Sequence, residues 1–156
     1  MAAYRRLLQR VGHTPAFAWL GVKLITPVDK WLFSRGGGRL ATTGPVLVLT
    51  TVGRKSGAPR SAPLLYAQDG QDLVVVGSNW GQRDHPAWSA NLLAEPKAYV
   101  VMAGERRDVR ARLASPEEKA RLWPLLVSIW PAYQTYARRS GRDLRVFVLS
   151  PVRRSP

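Results

Sequence analysis

Three cations and several hydroxyls crowd into one glycine-flanked loop, Thr50-Thr51-Val52-Gly53-Arg54-Lys55-Ser56-Gly57-Ala58-Pro59-Arg60. Free backbone N–H groups in such a turn form an anion-binding concavity, and Arg54, Lys55 and Arg60 add charge-assisted donors. Each bond of that kind contributes about 1.5–3 kcal/mol when partly desolvated. The chemistry it suits is the holding of a phosphate or carboxylate, and a solvated hairpin turn is the plain alternative. A second constellation is aromatic. Trp130, Tyr133 and Tyr136 recur every third residue and share one face of an expected helix. A stripe like this is usually core.

Other chemistries lack their residues. Gly36-Gly37-Gly38-Arg39-Leu40-Ala41 has the letters of a dinucleotide fingerprint, but a helix precedes it and a strand follows, the reverse of what that fold needs. Lys55-Ser56 lacks the first glycine and the following helix of a phosphate-binding P-loop. No G-x-S-x-G elbow is present. His13 and His85 are the only histidines, and neither has a second ligand three or four residues away, so no metal site is expected. Ten scattered acids suggest no catalytic carboxylate pair. Any reaction is therefore expected to belong to a cofactor.

The elements that would position these residues read as follows. Residues 1–40 form a basic helical segment with seven Lys/Arg against one acid, Asp29, ended by the Gly36-Gly37-Gly38 hinge. From Pro45 the period changes. A buried strand is expected at 46–52, a second at 60–67 with Pro63 marking an edge or bulge, and a third at 72–78. Asp69-Gly70 joins the second and third as a hairpin. A short helix runs from Asp84-His85-Pro86 to Pro96, and a second hairpin turns at Gly104-Glu105. Ser115-Pro116-Glu117-Glu118 caps a helix reaching about Arg139, kinked or divided by Pro124 and Pro131. A final strand covers 144–149. Six strands in hairpins with helices at three places give an α+β, antiparallel sheet that curls into a small barrel.

The chain has 156 residues, enough for one core, and 46% of them are apolar, which excludes a disordered basic tail. The balance of 24 cations against 10 acids, net +14, favours an anionic partner. With no cysteine there is no disulfide or thiolate chemistry. The apolar run at 16–22 stops at Lys23, too short to span a bilayer, so the expected location is cytoplasmic.

Several of these segments together resemble one family. Thr51-Val52-Gly53-Arg54-Lys55-Ser56-Gly57, Arg60 with Pro63-Leu64-Leu65-Tyr66, and Val75-Val76-Gly77-Ser78 resemble the deazaflavin (F420)-dependent nitroreductases. So do His85-Pro86-Ala87-Trp88 with Asn91-Leu92-Leu93, and Leu122-Trp123-Pro124 with Tyr133, so the resemblance spans about 44–150 in consistent order. It implies an antiparallel split β-barrel at 41–156, with N-terminal helices and a long helix in the C-terminal half. The implied cofactor is coenzyme F420, an 8-hydroxy-5-deazaflavin with a phosphate and an oligoglutamate tail. Its reduced form would deliver hydride to a quinone, a nitroaromatic or another activated, lipophilic acceptor.

By resemblance, Arg54, Lys55, Ser56, Gly57, Ala58 and Pro59 hold the phosphate end, with Arg60 and Asn91 nearby. Val76, Gly77, Ser78 and Asn79 meet the polar edge of the ring, and Trp88 joins the cofactor set. Tyr133, Tyr136 and Ser78 become candidate catalytic groups, and Tyr66, Trp130, Tyr133 and Tyr136 candidate acceptor contacts. Trp130 stands where a tyrosine is expected, and Asn79-Trp80 replaces a more usual Lys-Gly. The alternative enzyme is an FMN- or FAD-binding split barrel. A non-catalytic carrier or a nucleic-acid-binding barrel is the alternative of another class, although the cations are dispersed and no nucleic-acid signature is present. For residues 1–40, basic helices with an apolar aromatic face also suit an anionic membrane surface.

Overall fold

The computed structural model describes residues 45–153. The expected N-terminal helices and triple-glycine hinge, His13 and the end of the basic tail lie outside the described residues.

Seven strands form one antiparallel sheet: β1 (Val46–Val52), β2 (Pro59–Leu65), β3 (Ala67–Asp69), β4 (Asp72–Gly77), β5 (Lys97–Met102), β6 (Glu105–Leu113) and β7 (Arg145–Pro151), ordered β2-β1-β5-β6-β7-β4-β3. The strands at the two ends of that order, β2 and β3, are separated in the chain by Tyr66 alone. One residue cannot span a flat seven-stranded sheet, since strands lie about 4.8 Å apart. The sheet must therefore curl until its edges meet, and Tyr66 sits at the seam with its N–H on the Pro45 carbonyl.

The expected second strand is thus two. Residues 59–65 pair with β1 across the anion loop, Thr51 opposite Arg60 and Val48 opposite Pro63. Only the short β3 pairs with β4. The expected hairpin between the second and third strands is corrected accordingly. Pro63 has no N–H to give a ladder, and it lies on an edge strand as its chemistry requires.

Three helices complete the described chain: α1 (Ala87–Ala94), α2 (Pro116–Ile129) and α3 (Ala132–Ser140). Ser115 caps α2 by accepting from the Glu118 N–H. The helix expected from 115 to about 139, kinked or divided by its prolines, is divided at Pro131, which cannot continue the ladder, and Trp130 adopts extended backbone, while Pro124 stays inside α2. Trp130 is therefore not on the helix face that carries Tyr133 and Tyr136.

Alternation along β4 and β7 builds two cores back to back. Leu73, Val75, Phe147 and Leu149 point into the curl, where Trp88 and Leu92 of α1 close it. Val74, Val76, Val146 and Val148 point the other way, under Leu122 and Leu126 of α2 and Tyr133 and Tyr136 of α3. Each fully buried aliphatic contributes about 1.5–3 kcal/mol, so a one-residue slip of β7 would forfeit both cores at once.

Candidate functional site

The anion loop is closed by its own backbone. The Gly53 N–H donates to the Ala58 carbonyl at 2.8 Å and the Gly57 N–H to the Gly53 carbonyl at 2.7 Å. Gly53 is buried so tightly that a Cβ would lie 2.8 Å from Ser56 Oγ and 3.0 Å from the Ala58 oxygen. Gly57 takes φ +70°, where a side chain is strained. Ser56 Oγ accepts from the Ala58 N–H at 3.2 Å. Arg54, Lys55, Ser56, Pro59 and Arg60 are exposed, and Ala58 is half-buried.

Asn91 of α1 latches this loop to the sheet. It is 3% exposed, and its Nδ2 donates to Thr51 Oγ1 at 3.1 Å. Its Oδ1 accepts from both the Arg54 backbone N–H, at 3.2 Å, and the Arg54 guanidinium, at 3.3 Å. Thr51 Oγ1 in turn donates to the Arg60 carbonyl at 3.4 Å. A neutral acceptor holds Arg54 without cancelling its charge. Lys55 and Arg60 make no ion pair among the described residues. The donor set fits a multiply charged anion.

The other end of α1 meets the end of β4. Ser89 Oγ donates to the Pro86 carbonyl and accepts from Arg145. Pro86 packs beside Gly77, 3.5 Å from where a Cβ would stand. Beyond Gly77 comes half-buried Ser78 and a tight turn, Asn79–Gly81. Asn79, Trp80 and Gly81 take φ of 44°, 57° and 74°, three left-handed residues in succession. For the two non-glycines this costs about 1–2 kcal/mol each, so the surroundings must hold the turn. The Asn79 amide donates to the Asp84 carbonyl at 2.9 Å. Behind the turn, Gly81 is pressed against Tyr136 and Arg139, each 3.0 Å from a hypothetical Cβ. Helix α1 thus ties together the loop at 53–60 and the turn at 77–82.

The four expected acceptor contacts do not share one surface. Tyr66 packs with the inner core, whereas Trp130, Tyr133 and Tyr136 belong to the outer one, beneath α2 and α3. Trp88 is likewise an inner-core residue, 5.7 Å from the Phe147 ring. The two tyrosines differ. Tyr136 is 1% exposed, and its hydroxyl accepts from the Trp130 indole N–H. The Tyr133 ring is buried, and its hydroxyl makes no hydrogen bond among the described residues. Burial of its ring pushes the Tyr133 pKa well above the ordinary phenol value and keeps the proton in place.

Sequence reasoning missed Arg139 and Arg142, which hold the turn's carbonyls, and gave His85 no part beside Arg142. At the end of α3 these cations look like ordinary complements to a helix C-terminus, so their targets 57–65 residues away left no local signal. Among the described residues no cluster of three His, Cys, Asp or Glu could hold a metal, and no helix is long and apolar enough to cross a membrane.

The chain matches the family described as F420H(2)-dependent quinone reductase over residues 29–151. The F420H(2)-dependent quinone reductase Rv1261c of Mycobacterium tuberculosis is 34% identical over 119 residues, 74% of this chain and 80% of that protein. Rv3178 of the same organism, which carries the same family's name, is 38% identical over 107 residues, covering 69% and 90%. Among solved structures, an F420-H2 dependent reductase (FDR-A) superposes with a TM-score of 0.63 at 32% identity, covering 68% of this chain and 94% of that one. A protein of Listeria innocua titled a pyridoxamine 5′-phosphate oxidase (TM-score 0.50, 18% identity, covering 70% and 85%) shares the fold alone. A split barrel with an anion loop at one end of α1 and a polar turn at the other, this chain belongs to the F420H(2)-dependent quinone reductase family, oxidoreductases that use coenzyme F420.

Proposed function

We propose that the protein draws hydride from reduced F420 and delivers it to a small lipophilic acceptor, a quinone in the first instance and a nitroaromatic or other activated acceptor in the second. The observation that supports this best is the pairing of unlike ends on α1: cations with no ion pair among the described residues at the loop, a polar backbone turn at β4. Bound there, the cofactor supplies two-electron hydride chemistry. Arg54, Lys55, Ser56, Gly57, Ala58, Pro59 and Arg60 hold its phosphate and carboxylates. Asn91 acts through Arg54 and Thr51. Val76, Gly77, Ser78 and Asn79 orient the ring, and Trp88 fixes the helix between the two ends.

Of the candidate proton-bearing groups, Tyr133 and Ser78 suit the role better than Tyr136, whose hydroxyl is engaged by Trp130. Trp130 and Tyr136 serve as the wall against which Tyr133 is set, and Tyr66 serves the inner packing. The barrel unit is taken as 41–156. For residues 1–40 we propose contact with an anionic membrane surface, supported by seven cations interleaved with Phe17, Trp19, Leu20, Leu24 and Trp31. Salt-sensitive co-sedimentation with phosphatidylglycerol vesicles would support that contact, and full-length protein that ignores them would end it.

The test of the catalytic reading is anaerobic mixing of protein, reduced F420 and a soluble quinone, followed by the return of oxidised-deazaflavin absorbance. Turnover proportional to enzyme is expected. Tight FMN binding with no deazaflavin oxidation would overturn the reading.

A further inference from the structure

A single guanidinium gathers the turn at 77–82. Arg142 follows Gly141, the left-handed residue that ends α3, and is half-buried. Its Nη2 donates to the Ser78 carbonyl at 2.6 Å and its Nη1 to the Gly77 carbonyl at 3.0 Å. Its Nε donates to the Gln82 carbonyl at 3.0 Å, and Nη1 also meets His85 Nδ1 at 3.0 Å. Every one of these direct partners is neutral, so the arrangement is not an ion pair. It is a planar fork filled with acceptors, which a lysine's point charge does not reproduce. Arg139, one helical turn earlier, donates to the Trp80 carbonyl at 2.6 Å. The left-handed turn therefore has its carbonyls drawn inward by two arginines.

That direction has a consequence for the opposite side. No peptide among the described residues is cis, and in a trans peptide C=O and N–H point oppositely. Holding the Gly77 and Ser78 carbonyls toward Arg142 turns the N–H groups of Ser78 and Asn79 away from it. A cation on the carbonyl also polarises the peptide and strengthens its N–H as a donor. We propose that Arg142 is the positioning residue for the ring end of the site: it aims and strengthens the Ser78 and Asn79 N–H donors toward an electron-rich carbonyl edge. The inference rests on the reading that 76–79 meet the ring of the cofactor.

The test compares two fluorescent ligands at equilibrium: intact oxidised F420, and the 8-hydroxy-5-deazaflavin riboflavin analogue that lacks phosphate and tail. For Arg142→Lys, the dissociation constant is expected to rise about tenfold for both ligands, equivalent to about 1.4 kcal/mol. Lys55→Ala is expected to weaken only the intact cofactor. In Arg142→Ala, added methylguanidinium is expected to recover part of the lost ring affinity, a readout that a purely structural staple would not give. Should that variant not fold, Arg142→Lys decides alone, with its melting temperature recorded alongside. A lowered melting temperature with both dissociation constants unchanged would overturn the inference and leave Arg142 a staple of the fold. Wild-type protein that binds neither ligand would remove the cofactor reading itself. Wild type and Arg142→Lys binding F420 equally well would remove only the role of Arg142.

Discussion

The loop at 53–60 and the turn at 77–82 are served by the same helix, yet they treat charge in opposite ways. Among the described residues the loop leaves its cations outward without an ion pair, and a buried amide, Asn91, is the side chain that grips Arg54 from another element. The turn has arginines beneath it and spends their charge on its own carbonyls. A flexible polyanion needs accessible charge that can follow it, whereas a flat ring needs donors fixed in direction. On the proposed reading, one net charge of +14 serves two uses, attraction at one end and orientation at the other.

Removing the attraction should give the largest effect. Lys55→Ala with Arg60→Ala eliminates two charge-assisted partners, each contributing about 1.5–3 kcal/mol when partly desolvated. Solvent screening at these exposed positions reduces the sum, so a rise of roughly 100-fold in the F420 dissociation constant is expected at low salt. The melting temperature should stay within a degree or two of wild type, about what surface substitutions allow. The loss should shrink as salt is raised. Equal losses of binding and thermal stability would show that the loop cations serve the fold and would erase the contrast between the two ends.

The tyrosines sharpen the second side of the comparison. Tyr133→Phe keeps the ring and removes the unpartnered hydroxyl, so turnover should fall about tenfold, less than a full general acid because water can substitute. Cofactor affinity should hold. Tyr136→Phe strands the Trp130 indole N–H and should act on stability, by about 1–3 kcal/mol, with little effect on single-turnover hydride transfer. The reverse pattern would move the proton-bearing role from Tyr133 to Tyr136.

A smaller effect is expected at the latch. Asn91→Ala leaves the Arg54 N–H without its partner, leaves Thr51 Oγ1 with only the Arg60 carbonyl it donates to among the described residues, and removes a buried side chain. Water can reach the exposed Arg54, so the F420 dissociation constant should rise about three- to tenfold, with a modest fall in melting temperature. Unchanged affinity alongside lower stability would confine Asn91 to the core.

How much of this was legible in the sequence follows from how local each feature is. The loop at 53–60 was readable because Gly53, Arg54, Lys55, Gly57 and Arg60 lie within eight residues of a turn they form themselves. Ser115-Pro116 announced α2 for the same reason. The pairing of 59–65 with β1 instead of β4 was not readable, because alternation fixes a strand's faces and says nothing about its neighbour. The separation of Tyr66 from Tyr133 and Tyr136 depends on which side of the curled sheet each meets, a property of closure. Trp130 was placed on a helix by spacing alone, and Pro131 moved it off. The family resemblance supplied the residues proposed for the ring end and not their support, since Arg142 reaches its partners across 57–65 residues.

The smallest expected effect concerns His85, where the turn's charge economy meets pH. Arg142 Nη1 lies on His85 Nδ1, which must therefore be the unprotonated acceptor nitrogen. Burial lowers the His85 pKa first, and the charges of Arg145 and Arg142 lower it further, against weaker opposition from Asp143 and Asp84. The folded value lies below the ordinary 6.5, so the unfolded chain binds more protons in the window between the two. Stability is full above pH 6.5 and is lost as the pH falls through the folded pKa, since a protonated ring would present a donor to a guanidinium. Glutamine offers a neutral acceptor and does not titrate. His85→Gln should therefore flatten the melting-temperature profile below about pH 6.5 and leave it unchanged above pH 7. Over the same acid range, ring affinity in the wild type should weaken. A wild-type profile as flat as that of the glutamine variant would show that Arg142 holds the turn without help from the imidazole, and would narrow the orienting device to the guanidinium alone.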